Sequence, residues 1–131
     1  MVNPIVMLAH NLGFPPPGDA LLETTGRRTG LRRHTPVCDG TDGDSFWLVA
    51  QRGHRADWVK NIESNPRVRV KVRTASGVDW RAGTAHLLDD DDPCERQRLM
   101  RQGDLPRRLC VSASAAMDTD PLTVRIDLDP R

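Results

Sequence analysis

Tyrosine is missing from this chain, and with two phenylalanines and three tryptophans the aromatic residues make up only 4% of 131 positions. Most of that small set must fill a core, which leaves little for stacking the bases of a single strand. No sign of charge dominates either: 19 lysines and arginines face 18 aspartates and glutamates, a net charge of +1. A generic nucleic-acid binder carries a global basic excess, so nucleic acid is not expected as a partner. Cysteine is scarce. Cys38, Cys94 and Cys110 are scattered and odd in number, and none lies at metal-ligand spacing from another cysteine or a histidine. The expectation is free thiols in a reducing compartment, with no metal site. Met1–Leu8 has no basic leader, and no apolar run nears signal or membrane-spanning length. A cytoplasmic protein without stable membrane anchoring is therefore expected. No Gly-x-Gly-x-x-Gly follows a strand, and neither Gly-x-Ser-x-Gly nor His-Glu-x-x-His occurs. The catalytic residues stay unassigned. Of the isolated histidines, His54 is the best placed, in a loop beside Arg52 and Gly53.

What is present is concentrated between Thr24 and Pro36, where Gly26 and Gly30 bracket a turn and Arg27, Arg28, Arg32 and Arg33 crowd within seven residues. Glycine tolerates the positive φ of anion-cradling turns. Arginine stays charged and grips phosphate or carboxylate with paired donors. The stretch reads either as a hairpin that gathers an anion or as a solvated basic hairpin.

The chain fits one domain, expected over 21–131 behind an N-terminal arm over 1–20 that Pro15-Pro16-Pro17-Gly18 makes extended. Strands are expected at 21–25, 32–38 and 45–50. A helix then runs from Ala56 or Asp57 to Glu63, where Trp58, Val59 and Ile62 share a face before Asn65-Pro66 stops it. Arg67–Arg73 alternates valines with basic residues, the pattern of a half-buried strand with a solvated basic face. The valines are assigned to the core, although a homodimer could use the same face. Strands at 79–88 and 122–128 follow, with Asp89–Asp92 between them read as capping a helix that begins at Pro93. Residues 103–120 read as irregular, with a short helix at Ser112–Met117. This order predicts a mainly β (α+β) fold, a small barrel with one helix inserted after the third strand. Anion-gripping elements without acid–base machinery fit a cofactor enzyme.

Leu22–Pro36, then Val49-Ala50-Gln51-Arg52-Gly53, then Asp57-Trp58-Val59-Lys60-Asn61-Ile62 with Asn65-Pro66, resemble in order and spacing the deazaflavin-dependent nitroreductase family. The final Asp120–Asp127 block is also similar to that family. The resemblance implies a split β-barrel of the FMN-binding-like type that uses reduced coenzyme F-420. It implies that Arg28 and Arg33 grip the cofactor's phosphate and acidic tail, and that Thr35 and Pro36 lie beside the deazaflavin ring. Ala50, Gln51, Arg52 and Gly53 would approach ring and phosphate through backbone groups, with Trp58 and Asn61 walling the same pocket. Hydride would pass to a small electron-poor acceptor such as a quinone, an enone or a nitro compound. The chain departs from the family's pattern in lacking tyrosine, in carrying Cys38 and Val59 where nitro-reducing members have aromatic residues, and in having Gln51-Arg52-Gly53 for serine-lysine-glycine.

Three other readings stand beside this one. A flavin mononucleotide (FMN) oxidoreductase on the same barrel would need the same arginines. A non-catalytic module could sequester the cofactor. A single-stranded nucleic-acid binder would use Arg67–Arg73 with Trp80 as a stacking platform.

Overall fold

The computed structural model describes residues 19–74, 77–100, 110–111 and 120–130. Seven strands form one antiparallel sheet: β1 (Asp19–Thr25), β2 (Arg32–Cys38), β3 (Thr41–Asp42), β4 (Ser45–Ala50), β5 (Arg67–Thr74), β6 (Gly77–Leu88) and β7 (Leu122–Leu128). Two α-helices accompany them, α1 (Asp57–Ser64) and α2 (Pro93–Met100), with a 3-10 turn at Gly53–Arg55. The sheet order is β2-β1-β5-β6-β7-β4-β3. The fold is mainly β, as the order of the segments predicts, and a split barrel, as the family resemblance implies.

The expected strands at 32–38, 45–50 and 122–128 form with the expected bounds. β1 opens two residues earlier than expected and β6 at Gly77. The two-residue β3 was not foreseen, so the inserted helix follows the fourth strand as numbered. Apart from Asp19 and Ala20, which open β1, the expected arm over 1–20 lies outside the described residues, as does the helix expected at Ser112–Met117.

One cluster of buried side chains unites Ala20 and Leu22 of β1 with Val68, Val70 and Val72 of β5, Phe46 and Leu48 of β4, and Val124 and Ile126 of β7. β1 and β4 are four strands apart in the sheet order, so their side chains meet only because the sheet curls around this core. The valine face of β5 is consumed there. Val70 is fully buried and its two neighbours nearly so, which leaves that face unable to pair two copies.

The chain leaves β4 on one flank of the sheet and returns through α1 to β5, which lies beside β1. Val59 and Ile62 are buried under α1, and half-buried Trp58 packs against both the main core and a smaller cluster of Ala50, Ala56, Val59 and Leu122. The aspartate run caps α2: Asp92 Oδ1 accepts the backbone N–H groups of Cys94 (3.0 Å) and Glu95 (3.3 Å). Arg96 of α2 lies over the Trp47 ring, 3.7 Å from its centroid, and pairs with Asp91, whose carboxyl it holds below the usual carboxylate range.

The cysteine expectation is overturned. Cys38, at the end of β2, is disulfide-bonded to Cys110, with Cα atoms 5.8 Å apart, and only Cys94 is a free thiol. Spacing in sequence carries no signal for a bridge spanning 72 residues, because the meeting of its two ends is a property of the fold.

Candidate functional site

The Gly26–Leu31 turn is closed by its own backbone: the Gly26 N–H donates to Leu31 O (2.7 Å) and the Gly30 N–H to Gly26 O (2.8 Å). Gly30 sits at φ +71°, a conformation that side-chain-bearing residues seldom adopt. The turn is fastened to α1 by a compact polar network. Asn61, buried on α1, accepts the Arg27 N–H (3.2 Å) and the Arg27 Nη1–H (2.9 Å) at Oδ1, and its Nδ2 donates to Thr24 Oγ1 (3.3 Å). Arg27 also reaches the carbonyl and carboxylate of Asp57, at 3.4 Å each. A buried carboxamide with both ends engaged fixes the angle between helix and hairpin.

The four arginines thus separate into pairs. Arg27 is held by α1, and Arg32 lies 3.9 Å from Glu23. Arg28 and Arg33 are exposed and make no ion pair among the described residues. Strand register orders the rest of the hairpin. Thr24 stands opposite Arg33 and Leu22 opposite Thr35, so Arg33 and Thr35 share the face on which α1 packs. Pro36 is paired with Leu21 and His34 with Glu23 on the reverse face. Thr35 and Pro36 are both half-buried, but their side chains project from opposite sides of β2.

The second candidate segment follows β4. Ala50 is buried, Gln51 is half-buried and Arg52 is exposed, before the 3-10 turn at Gly53. Gly53 adopts φ +56°, and a Cβ placed there would lie 2.4 Å from the carbonyl oxygen of Asp120. The close approach that this glycine permits is therefore to the chain's own backbone. Gln51 O accepts the Asp120 N–H (3.1 Å) on the same side. α1 joins this loop to the hairpin: Ala56 and Val59 pack with Ala50, while Arg27 and Asn61 hold the turn.

On the reverse face a second polar cluster appears that sequence reasoning missed. Glu23, buried on β1, accepts two hydrogen bonds from Arg69 (2.8 and 2.9 Å) and lies 3.0 Å from His34 Nε2. The Arg69 hydrogen bond, helped by His34 and by the charges of Arg69 and Arg32, holds its carboxyl down at about 2 against the opposing cost of burial. Arg69 also lies over the Trp80 ring at 4.6 Å, and Lys71 at 6.0 Å. Arg67 is engaged by Asp129. The basic strand expected to be merely solvated is thus partly neutralised within the fold, and Trp80 is flanked by the chain's own cations. No pattern in the chain marks Glu23, an acidic residue in a β-strand, as buried. Only the cross-strand register reveals it.

The family model for F420H(2)-dependent quinone reductase matches residues 8–129. An F420H(2)-dependent quinone reductase of Mycobacterium tuberculosis is 34% identical over 68 residues, 50% of this chain and 45% of that protein. The chain spans about half the length of the curated relatives it matches. Among solved structures, an F420-H2 dependent reductase (FDR-A) superposes with a TM-score of 0.56 at 21% identity, covering 86% of this chain and 94% of its own. The heme storage protein HutZ from Vibrio cholerae gives 0.58 at 12% identity, covering 100% and 93%. At such identities these two likenesses show the fold alone.

Proposed function

This chain belongs to the F420H(2)-dependent quinone reductase family, and from that membership we propose that it is a coenzyme F-420-dependent reductase acting on a small electron-poor acceptor. The observation that carries the reading is the division of the arginines. Arg27 and Arg32 are engaged by the fold, while Arg28 and Arg33 stand exposed beside a turn that α1 holds rigid. Two such guanidinium groups suit a phosphate and a polycarboxylate tail. Arg33 and Thr35 share the α1 face with the Trp58 and Asn61 helix, so that face is assigned to the cofactor. Trp58 would wall the ring and Asn61 would act by holding the turn. Ala50, Gln51, Arg52 and Gly53 would line the opposite approach, with Pro36 supporting β2 from behind. When bound and reduced, the deazaflavin supplies the hydride, and a quinone, an enone or a nitro compound receives it. The chain's own task is grip, orientation and exclusion of water.

No helix among the described residues is long and apolar enough to cross a membrane. Cytoplasmic placement belongs to this proposal, and a homodimer, if formed, would use a surface other than the β5 valines.

The test is a fluorescence titration of the purified protein with coenzyme F-420 and, separately, with FMN. Saturable binding of F-420 at micromolar concentration or below, with FMN weaker, is expected, followed by turnover of the reduced cofactor with a quinone. Preference for FMN would move the protein to the flavin reading. Binding of neither would leave a non-catalytic module.

A further inference from the structure

We propose that His54 is a positioning residue: as an imidazolium it pins the Gln51–Arg55 loop to α1 and to the turn after β6, so that cofactor affinity falls as rising pH takes the second proton from the ring. The inference rests on the cofactor reading above and adds to it a device of this chain.

His54 Nδ1 lies 2.8 Å from Glu63 Oε1, and Nε2 lies 2.7 Å from Asp89 Oδ1. A neutral imidazole has one N–H and one lone pair, whereas both carboxylates here can only accept. A ring with a carboxylate at each nitrogen makes both hydrogen bonds only when it carries two protons. The charge state is therefore built into the geometry, and the hydrogen bonds to Asp89 and Glu63 raise the pKa above 6.5 accordingly.

The three elements joined are distant in the chain, with Glu63 nine residues and Asp89 thirty-five residues from His54. The charges acting on the ring among the described residues are those two carboxylates, from the last turn of α1 and from the turn after β6. Arg52 and Arg55 flank it on its own loop, and Asp57 and Lys60 lie nearer the start of α1. On the other side, the Asp120 backbone presses on Gly53 and bonds to Gln51. The loop is thus gripped from both sides, and deprotonation breaks one of the two hydrogen bonds on the His54 side, leaving one carboxylate without its donor.

The experiment has two arms, run on wild type and His54→Gln. In the first, the His54 ring and the Gly53–Arg55 amides are followed by NMR without cofactor. A ring pKa above about 6.5 and amide protection lower in the variant than in wild type at acidic pH are expected. In the second, F-420 affinity is measured from about pH 6 to about pH 9. Wild-type Kd should rise by about fivefold or more, the low end of site-to-site coupling, with its midpoint at the ring pKa. The variant should stay flat at the alkaline wild-type value. A ring pKa at or below about 6.5, or equal amide protection in both proteins, overturns the clamp. Parallel Kd profiles in the two proteins overturn its link to the site. Absence of F-420 binding at every pH overturns the cofactor reading and the affinity link with it, while the NMR arm still decides the clamp.

Discussion

Four arginines lie within seven residues of the β1–β2 turn, and their surroundings give them different work. Arg27 donates to Asn61 and Asp57, so replacing it should loosen the turn. Arg28 and Arg33, exposed and outside any ion pair among the described residues, are the pair to test for cofactor grip. Arg28→Ala and Arg33→Ala should each weaken F-420 binding by about 1.5–3 kcal/mol, the range of a lost charge-assisted hydrogen bond, with thermal midpoints close to wild type. Titration of each variant checks this, and wild-type affinity in both would remove the anion site from the turn. Gly53 makes the opposite case, a residue singled out for a ligand whose geometry is dictated by the chain itself. Its φ of +56° and the Asp120 carbonyl, 2.4 Å from any added Cβ, mean that Gly53→Ala must shift backbone. Thermal or urea denaturation should show a loss of at least about 1–2 kcal/mol, the cost of the left-handed conformation alone.

Between elements, the Glu23 cluster ties three strands: β1 supplies the carboxylate, β2 His34 and β5 Arg69. Because the folded-state pKa is depressed from 4.5 to about 2, the stability it gives is complete above the unfolded value. It drains away as pH falls through that window. The full shift corresponds to on the order of 3 kcal/mol. Urea midpoints of wild type and Glu23→Gln should differ at neutral pH and converge near pH 2. A constant gap across that range would mean that Glu23 acts by packing rather than by charge. The cluster also shows where the sequence stops being legible. Hydrophobic alternation located β5 and β7, because period-two patterning follows directly from which face is buried, while the apolar run Phe46–Val49 marked β4 and the turn after β1 marked β2 as its hairpin partner. The helix after β4 was legible from Trp58, Ile62 and the Asn65-Pro66 stop. The crowding of four arginines in the hairpin was legible, but not which of them the fold would claim, since that depends on Asn61 arriving from α1 and on the burial of Glu23 across the strands. Nothing local to His54 announced Glu63 and Asp89 as its two partners either.

At the scale of the sheet, β2 and β3 are its two edge strands among the described residues, and an edge strand is paired to a neighbouring strand on one side only. The Cys38–Cys110 bridge lies on the β2 edge and fastens to it Cys110 and its buried neighbour Val111. Closing a loop of 72 residues restricts the unfolded chain, and the chain-entropy account assigns such a loop about 4 kcal/mol. Cys38→Ser should therefore lower stability by up to that amount, and so should a dithiol reductant acting on wild type. Thiol counting is the direct check. Alkylation of the denatured, unreduced protein should label Cys94 alone, and prior reduction should raise the count to all three cysteines. The same count on protein taken rapidly from cells bears on cytoplasmic placement, because reducing compartments keep structural thiols open. One thiol there would mean that the bridge survives that environment or that the protein works outside it, whereas three in the denatured, unreduced protein would restore the free thiols that the spacing of the cysteines first suggested.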